Sequence, residues 1–328
     1  MKNLQFALNV RYTLDSENIY FKKGIWNTID GIIPLNSIND KTEFLQLLKR
    51  IESNGYCIET FKTHDEKLIE ELLKNGFIID CEKKEIQIAQ VLTGNEFIEK
   101  SASQNFDFIT DSDFLSDELA RIKNIYNFKA NIIKSESLEE LHDVNYFSKV
   151  NSLEYEKKMN LCRKKFNFPA PKLVIFENVS LPVFRNLNEI FNGVPVSYGF
   201  LDGPFMIFTT LMNGQTGCWN CFENRMMTNV RDMVLYNRFK DIKPIACKTD
   251  VFNLHLTQLL HFGLEEVFSW NLLNMTKFMG RAYFVYLPTF EFHLQNVDRL
   301  SSCETCGYLS INDAAEDNIS LQRIISEL

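Results

Sequence analysis

The first 82 residues carry two kinds of hydrophobic pattern. Residues 5–13, 18–22 and 25–33 have the composition of strands. Two later stretches instead repeat apolar residues at the three- and four-residue spacing of amphipathic helices. The apolar stripes are Phe44, Leu47, Leu48 and Ile51 in the first stretch and Leu68, Ile69, Leu72 and Leu73 in the second. Strands, helices and a closing strand at 77–79 are typical of a winged helix, which we predict over residues 1–82.

Both helical stretches have start and stop signals in the sequence. Asp40-Lys41-Thr42-Glu43 has the spacing of a capping box, and Thr63-His64-Asp65-Glu66 repeats that signal before the second stripe. Asn54-Gly55 and Asn75-Gly76 follow the stripes and are typical of helix ends. These signals predict two short helices with defined ends.

Beyond residue 105 strand-like and helical patterns alternate. Residues 106–110, 130–134 and 172–176 are short apolar runs, and residues 115–126 have helical spacing between the first two runs. Such alternation favours a parallel sheet covered by helices. The polar stretch before it predicts a linker over 83–105. We therefore predict an α/β protein with a winged helix at 1–82 and a Rossmann-like domain at 106–328.

The net charge and the hydropathy of the chain exclude some classes of function. The chain of 328 residues has a formal net charge of -8 and no basic patch, so it is poorly suited to a phosphate backbone. Its longest apolar runs, such as 282–287, are far shorter than the roughly 18 residues of a membrane span. The first residues lack the features of a secretion signal. We expect a cytoplasmic protein that binds neither nucleic acid nor membrane.

Two CxxC motifs are the strongest chemical signal in the chain. Cys218 and Cys221 form the first motif, and Cys303 and Cys306 form the second, about 80 residues later. Four thiolates give the closed tetrahedral coordination that suits structural Zn²⁺ and leaves no position for a catalytic water. The long separation requires the fold to bring the motifs together. A redox-active CxxC motif or unligated thiols are the alternatives, and Cys247 between the motifs is a further candidate for a chemical role.

The segment from residue 172 to 225 resembles the second half of the E1-like, or ThiF-like, adenylating fold. The residues that carry this resemblance are 172–176, Arg185, Asn188, Glu189, Gly193-Val194-Pro195, Tyr198-Gly199, Gly203-Pro204, Gly217–Cys221, Glu223 and Arg225. The closing strand at 282–287 and Cys303–Gly307 are similar to the end of the E1-like "C protein" subunit of azoline-forming cyclodehydratases. These proteins make thiazole- and oxazole-modified peptides such as streptolysin-like and microcin-like bacteriocins, the TOMM class of RiPP.

The resemblance implies a division of labour between subunits. Members of that branch carry an N-terminal winged-helix peptide clamp, or RiPP recognition element, that binds the leader of a precursor peptide. A partner YcaO subunit binds ATP and forms the azoline rings, an FMN-dependent dehydrogenase can oxidise them, and the E1-like subunit is expected as a homodimer. The resemblance thus implies a scaffold that is itself without catalytic residues.

The loop after the first strand of the second domain departs from a nucleotide-binding pattern. That loop reads Thr110-Asp111-Ser112-Asp113, and no two of the 13 glycines stand as GxG. Phosphate binding in this fold needs close glycines, and two carboxylates repel phosphate. Adenylation by this chain is therefore not expected. We interpret Asp111 and Asp113 as caps of the following helix, with a cation bridge to phosphate as the alternative.

The sign of charge separates a peptide clamp from a DNA reader. Residues 1–80 contain ten basic and twelve acidic residues, and the predicted helix at 65–75 is acidic. A recognition helix in a DNA groove usually brings positive charge, whereas a strand edge beside an apolar groove suits an extended peptide. The predicted leader contacts are Ile25, Trp26, Thr28 and Ile29 on the receiving strand and Leu68 and Leu72 in the groove. Core packing is the alternative for Trp26, Leu68 and Leu72.

Two other functions stay open at this point. A stand-alone peptide-adenylating enzyme of the E1-like type would bind ATP through an unusual loop. A zinc-containing winged-helix regulator would bind duplex DNA with a steep salt dependence. We favour the leader-binding scaffold because the acidic helix and the glycine-poor loop argue against both.

Overall fold

The structure is a computed structural model of the 328-residue chain. It describes residues 2–7, 10–24, 30–54, 57–59, 66–80, 105–126, 128–147, 152–242 and 253–307. The chain divides into two compact units, residues 1–102 and residues 103–328. Within the described ranges, no helix combines the length and the apolar character needed to cross a bilayer.

The first unit contains two small antiparallel sheets and two α-helices among its described residues. Its strands are β1 (Lys2–Phe6), β2 (Val10–Leu14), β3 (Asn18–Lys23), β4 (Asp30–Pro34), β5 (Cys57–Glu59) and β6 (Ile78–Asp80). Its helices are α1 (Lys41–Asn54) and α2 (Glu66–Lys74). One sheet has the order β5-β1-β6 and the other has the order β2-β3-β4. The winged-helix assignment stays a prediction.

Helix α1 forms where its local signals predict it. The amide of Glu43 donates a hydrogen bond of 3.0 Å to the Asp40 carboxylate, which satisfies an amide that has no partner within the helix. The predicted stripe is buried, with Phe44, Leu47, Leu48 and Ile51 at most 5% exposed. Helix α2 ends at Lys74, and Gly76 just beyond it takes the left-handed conformation at φ 69° that favours glycine.

The predicted strand at 5–13 is wrong in one respect, because it forms two strands in different sheets. After β1 the amide of Val10 donates to the carbonyl of Ala7, and the chain turns there. β1 then pairs with β5 and β6, while β2 pairs with β3. Strand composition alone carries no information on this turn, since both halves are equally apolar.

The second unit is built on one seven-stranded sheet. Its strands are β7 (Asn105–Thr110), β8 (Lys129–Lys134), β9 (Lys172–Phe176), β10 (Val196–Asp202), β11 (Phe205–Leu211), β12 (Arg281–Tyr286) and β13 (Glu291–Asn296). Its α-helices are α3 (Asp113–Tyr126), α4 (Ser152–Arg163), α5 (Leu181–Ile190), α6 (Trp219–Met227), α7 (Met233–Phe239) and α8 (Asn253–Leu273). The strand order is β13-β12-β11-β10-β9-β7-β8.

The sheet is mixed, which corrects the prediction of a parallel sheet for the whole domain. β8, β7, β9 and β10 are parallel, as the alternating pattern predicts for a Rossmann-like half. β11, β12 and β13 are antiparallel additions. The reason lies at Gly203 and Pro204, which form a tight turn between β10 and β11 that leaves no room for a crossover helix.

Helices cover the parallel half of the sheet. Helix α8 packs closely on β9, since a Cβ at Gly263 would lie 2.2 Å from the Leu173 side chain. A core that includes Val174 and Phe176 of β9 also contains residues of α5 and α6, among them Phe184 and Trp219. Alternate residues of β9 therefore enter different packing environments, as expected for a strand buried on both faces.

Candidate metal centre

The four cysteines of the two CxxC motifs meet in one buried cluster. Cys218 immediately precedes α6 and Cys221 lies in its first turn, while Cys303 and Cys306 lie in a turn beyond β13. All four side chains are at most 3% exposed. The fold therefore brings together two motifs that are distant in sequence, as the zinc hypothesis requires.

The sulfur atoms have the spacing of a tetrahedral ligand set. The Sγ atoms of Cys218 and Cys303 are 3.5 Å apart, those of Cys221 and Cys306 are 3.3 Å apart, and those of Cys218 and Cys221 are 3.9 Å apart. All four lie within 4.8 Å of one another. Zn–S bonds of about 2.3 Å give tetrahedral S–S separations of about 3.8 Å. The cluster can hold a thiophilic metal ion with little adjustment.

Two glycines allow the cysteine turns to approach neighbouring backbone. A Cβ at Gly217 would lie 2.7 Å from the carbonyl oxygen of Val297. A Cβ at Gly307 would lie 2.4 Å from the carbonyl oxygen of Cys303. Both distances are below van der Waals contact, so no other residue type fits without moving the backbone. The glycines next to the CxxC motifs thus shape the metal centre.

The thiols interact strongly enough to change one another's acidity. Hydrogen bonds from Cys218, then from Cys221 and Cys306, lower the pKa of the Cys303 thiol. The amide of Leu300 also donates to the Cys221 sulfur at 3.3 Å. Donors aimed at sulfur stabilise thiolates, which are the forms that bind metals.

A buried hydroxyl beside the cluster has no partner among the described residues. The Tyr198 hydroxyl is fully buried and makes no hydrogen bond to the described part of the chain. Burial, and then the charge of Cys218, raise the pKa of this hydroxyl. A neutral hydroxyl near Cys218 is compatible with a ligand set of thiolates alone, and among the described residues neither a carboxylate nor a histidine belongs to the cluster.

Hydrogen bonds join the metal centre to helices α4 and α5. The Asn188 side chain of α5 accepts from the Trp219 amide at 3.0 Å. Asn220 donates to Thr305 at 2.7 Å, and Thr305 donates to the Glu189 carboxylate at 2.5 Å. Glu189 also accepts from the Tyr155 hydroxyl of α4 at 3.3 Å. The second CxxC turn is thereby held against the helical layer by side chains that flank the cysteines.

Among the described side chains, Cys162 is the one cysteine outside the cluster. Cys162 is buried in α4, and its sulfur is 3.8 Å from the Tyr146 hydroxyl. Cys57 lies in β5 of the first unit. Cys81 and Cys247 lie outside the described residues, so the question of a chemical role for Cys247 stays open.

The loop after β7 contains the second feature singled out from the sequence. In an open α/β sheet, ligands bind at the carboxyl ends of the strands where the strand order reverses, which here is between β7 and β9. The Asp111 carboxylate crosses this position and accepts hydrogen bonds from the amides of Glu177 at 2.7 Å and Asn178 at 3.2 Å. Burial raises the pKa of Asp111 to about 6, although these amides offset part of the effect. The crevice is therefore bridged by a side chain of the protein itself.

The interpretation of Asp111 as a helix cap is wrong. Its carboxylate binds the loop after β9 rather than the start of α3, because the parallel strands bring those two loops side by side. The turn before α3 is instead held by the Thr110 hydroxyl, which accepts from the Ser112 amide at 3.1 Å. Asp113 is exposed in the first turn of α3 and forms an ion pair with Lys134.

Sequence reasoning missed a buried ion pair between β7 and β9. Lys172 and Asp107 are both 0% exposed, and their charged atoms are 2.8 Å apart. Asn131 and Asn167 donate to the carboxylate, and the Lys172 ammonium donates to the carbonyl of Ala170 at 2.7 Å. The available signal was one charged residue within each of two apolar strands, which pair in the observed register. Because every charge has a partner, the pair is structural.

The predicted leader contacts are only partly within the described chain. Ile25, Trp26, Thr28 and Ile29 lie outside the described residues. Leu72 is 3% exposed in the core of the first unit, and Leu68 packs against that core while remaining half-buried. Leu68 thus has surface that a ligand can contact, whereas Leu72 supports it from within. Their role in peptide binding stays a prediction.

Comparison with known proteins gives similarity in structure but not in sequence. No protein-family model matches the chain. No curated protein matches it either. The detectable relationship is therefore one of fold.

Two solved heterocyclase structures share the fold of this chain. One is described as a heterocyclase in complex with substrate and cofactor, and the other as the structure of the heterocyclase TruD. Each has a TM-score of 0.58 and 13% identity, and the matches cover 93% and 94% of this chain. They cover 39% and 43% of the heterocyclase chains, so this chain spans about two-fifths of their length. A chain of the E. coli microcin synthetase McbBCD complex with pro-MccB17 bound matches at a TM-score of 0.47 and 13% identity, covering 92% of this chain and 99% of that chain.

Proposed function

We propose that this protein is the leader-binding scaffold subunit of a thiazole- or oxazole-forming cyclodehydratase. The fold that it shares with two heterocyclases supports the reaction class. The main support for a scaffold, and against a nucleotide-binding enzyme, is the Asp111 carboxylate. It bridges the crevice between β7 and β9, where this fold would bind a nucleotide phosphate. A second subunit of the YcaO type then binds ATP and forms the rings.

The first unit supplies the peptide clamp in this proposal. Within the described chain, β4 pairs with β3 on one side only, and the predicted receiving residues 25–29 lead directly into it. An extended leader can add there as a strand through main-chain hydrogen bonds. Helix α2 brings Leu68 to the partly exposed side of the core, and Trp26 anchors the leader as a large aromatic contact.

The second unit supplies the frame, stabilised by zinc. Cys218, Cys221, Cys303 and Cys306 would hold the ion, which neutralises thiolate charge and joins two distant segments when it is bound. The side chains of Asn220, Thr305 and Asn188 keep the cysteine turns in position against α5. No catalytic residue is assigned to this chain.

The scaffold acts by raising the effective concentration of substrate. A leader held by the clamp converts each attack of a Cys, Ser or Thr side chain into a nearly intramolecular event at the partner subunit. We expect a homodimer within the larger complex, and an FMN-dependent dehydrogenase as a further partner that oxidises the rings.

The test is leader binding by the full chain, measured as fluorescence anisotropy of a labelled leader from a precursor encoded next to this gene. Trp26→Glu should weaken binding at least about tenfold, because an anchor residue can contribute 2 kcal/mol or more. The matched control is Leu14→Glu, which alters an exposed residue of β2 in the same unit and should retain the affinity of the unmodified chain. Equal affinity for both variants would remove Trp26 from the clamp, and no binding by the unmodified chain would overturn the proposal.

A further inference from the structure

One edge strand of the seven-stranded sheet is exposed along its whole length. β13 (Glu291–Asn296) is last in the strand order, and within the described chain it pairs with β12 alone. All six of its residues are exposed. A strand edge of this kind presents main-chain groups that can pair with another strand. β13 is therefore a candidate surface for association with a further chain.

The opposite edge of the same sheet has a protection that β13 lacks. β8 has an exposed lysine at each end, Lys129 and Lys134. Lysines on an edge strand oppose pairing, because their ammonium groups would have to leave water. β13 contains neither lysine nor proline, and its register with β12 continues over all six residues without a bulge. The sheet is thus protected against pairing at β8 and open to it at β13.

β13 also exposes apolar side chains on one face of the sheet. Phe292 is 68% exposed and Leu294 is 54% exposed. Their opposite residues on β12 are Val285 and Tyr283. The Tyr283 ring contacts Phe262 of α8, so this is the face on which that helix lies. Because α8 packs mainly on β9, β10 and β11, the apolar face of β13 extends beyond the helix.

A second copy of the same strand fits this edge in a defined register. Opposed residues of an antiparallel pair point to the same face, so a two-fold axis perpendicular to the sheet must pass through a residue. An axis at His293 places Phe292 of each copy opposite Leu294 of the other. On the other face it places Glu291 opposite Gln295. This register therefore pairs the exposed apolar residues twice and brings no two carboxylates together.

We propose that two copies of this chain associate through β13 and form one continuous sheet across a two-fold axis at His293. Residues 291–295 of the two strands then oppose one another, and their outward main-chain groups gain hydrogen-bond partners. A ladder of this length buries less than the roughly 1,600 Å² of a standard interface, so the association is weak and depends on concentration. The inference rests on the strand and not on leader binding, and it gives the expected homodimer a defined surface.

Cysteine cross-linking of the full, zinc-loaded chain tests the position of the axis. In the proposed register the two Cα atoms of residue 293 lie about 4.5–5.5 Å apart, which a disulfide can span. Those of residue 295 lie about 14 Å apart, because four residues at about 3.4 Å each separate them along the strand. With oxidised glutathione, His293→Cys should form a disulfide-linked dimer, whereas Gln295→Cys on the same face should not. The unmodified chain under the same oxidant measures cross-linking by the native cysteines. No cross-link at residue 293, or equal cross-linking at both positions, would overturn the proposal.

Sedimentation velocity over a concentration series tests the apolar pairs. Phe292→Asp should weaken self-association at least about tenfold, because the two-fold axis places the change at both ends of the interface. Phe239→Asp is the matched control, since Phe239 of α7 is 64% exposed and lies outside β13, and it should leave association unchanged.

Three results of sedimentation would each overturn the proposal. The first is an unmodified chain that stays monomeric at high micromolar concentration, as expected if another segment or another protein covers β13. The second is full association of Phe292→Asp, and the third is loss of the dimer in Phe239→Asp. The last two would leave a homodimer through a different surface, and leader binding is measured separately, so the proposed function does not fail with this interface.

Discussion

The β7–α3 loop and the cysteine cluster differ in whether the protein itself supplies partners for their polar groups. Both join segments that are distant in sequence, and both contain groups able to bind a ligand. In the loop, the Asp111 carboxylate takes two amide hydrogen bonds from the chain itself. In the cluster, four buried sulfurs face one another, and none of the described residues contributes a cation to them. The first arrangement is complete without a ligand, and the second is not.

This difference separates a site that the protein completes by itself from a site that needs a bound ion. Buried charges without partners are costly, so polar groups that the protein leaves unbalanced indicate a ligand. The Asp107–Lys172 pair follows the first pattern, with every charge paired. The cysteine cluster follows the second pattern, with four buried sulfurs that a metal ion would balance. The same distinction predicts which substitutions act through stability and which act through a ligand.

The largest effect is expected from removing one metal ligand. Cys218→Ser should lose stoichiometric zinc and several kcal/mol of stability, because structural zinc contributes about 10–16 kcal/mol in small zinc domains. Metal analysis and thermal unfolding of the purified chain measure both losses. Cys162→Ser is the control, since Cys162 is a buried cysteine outside the cluster and its variant should keep one zinc. Stoichiometric zinc in Cys218→Ser would contradict the ligand assignment.

A smaller loss of stability is expected when the buried ion pair between Asp107 and Lys172 is broken. Lys172→Met leaves the Asp107 carboxylate buried without a counter-charge, at a cost of about 3–5 kcal/mol. Lys134→Met breaks the exposed pair with Asp113 and should have a much smaller cost, because water screens that pair. Urea unfolding of the two variants gives the comparison. Similar losses would show that burial does not determine the strength of these pairs.

The raised pKa of Asp111 predicts that the free energy of unfolding depends on pH. Burial raises the pKa of Asp111 to about 6, so between about pH 4 and 6 the folded chain retains a proton that the unfolded chain has released. The free energy of unfolding therefore falls as the pH rises through this window, by up to about 3 kcal/mol. Asp111→Asn should remove this part of the pH dependence, whereas Asp113→Asn at an exposed site should keep it. Parallel stability curves for Asp111→Asn and the unmodified chain would contradict the buried carboxylate.

The smallest loss of stability is expected at Asp40, which caps helix α1 of the first unit. Asp40→Ala removes the acceptor for the Glu43 amide and should cost about 1 kcal/mol. Asp40→Asn preserves an acceptor and should lose less. Chemical unfolding followed through the helical signal measures the difference. A loss equal to that of Lys172→Met would show that the cap supports more than one helix end.

Local signals in the sequence predicted the helices well. Helix α1 begins directly after its capping residue Asp40, because this interaction joins residues within one turn. The β10–β11 hairpin and the break between β1 and β2 were not predicted, since they depend on which distant strands pair. The resulting antiparallel half of the sheet therefore emerged only from the structure.

The residues of the candidate sites could likewise be predicted only where they are close to one another in sequence. Each CxxC motif is local, so the four cysteines of the two motifs could be named from their spacing, and the fold then brought them together. The role of Asp111 could not be predicted, because its partners lie 66 and 67 residues away in the loop after β9.

The central claim is that this chain binds a peptide and a zinc ion and leaves the nucleotide to a partner. Native mass spectrometry of the full chain, mixed with magnesium ATP and a precursor peptide encoded beside its gene, tests the three ligands at once. The account predicts one zinc and one peptide per chain, with no ATP or AMP adduct. A chain that carries nucleotide and forms an adenylated peptide, with no zinc bound, would contradict it.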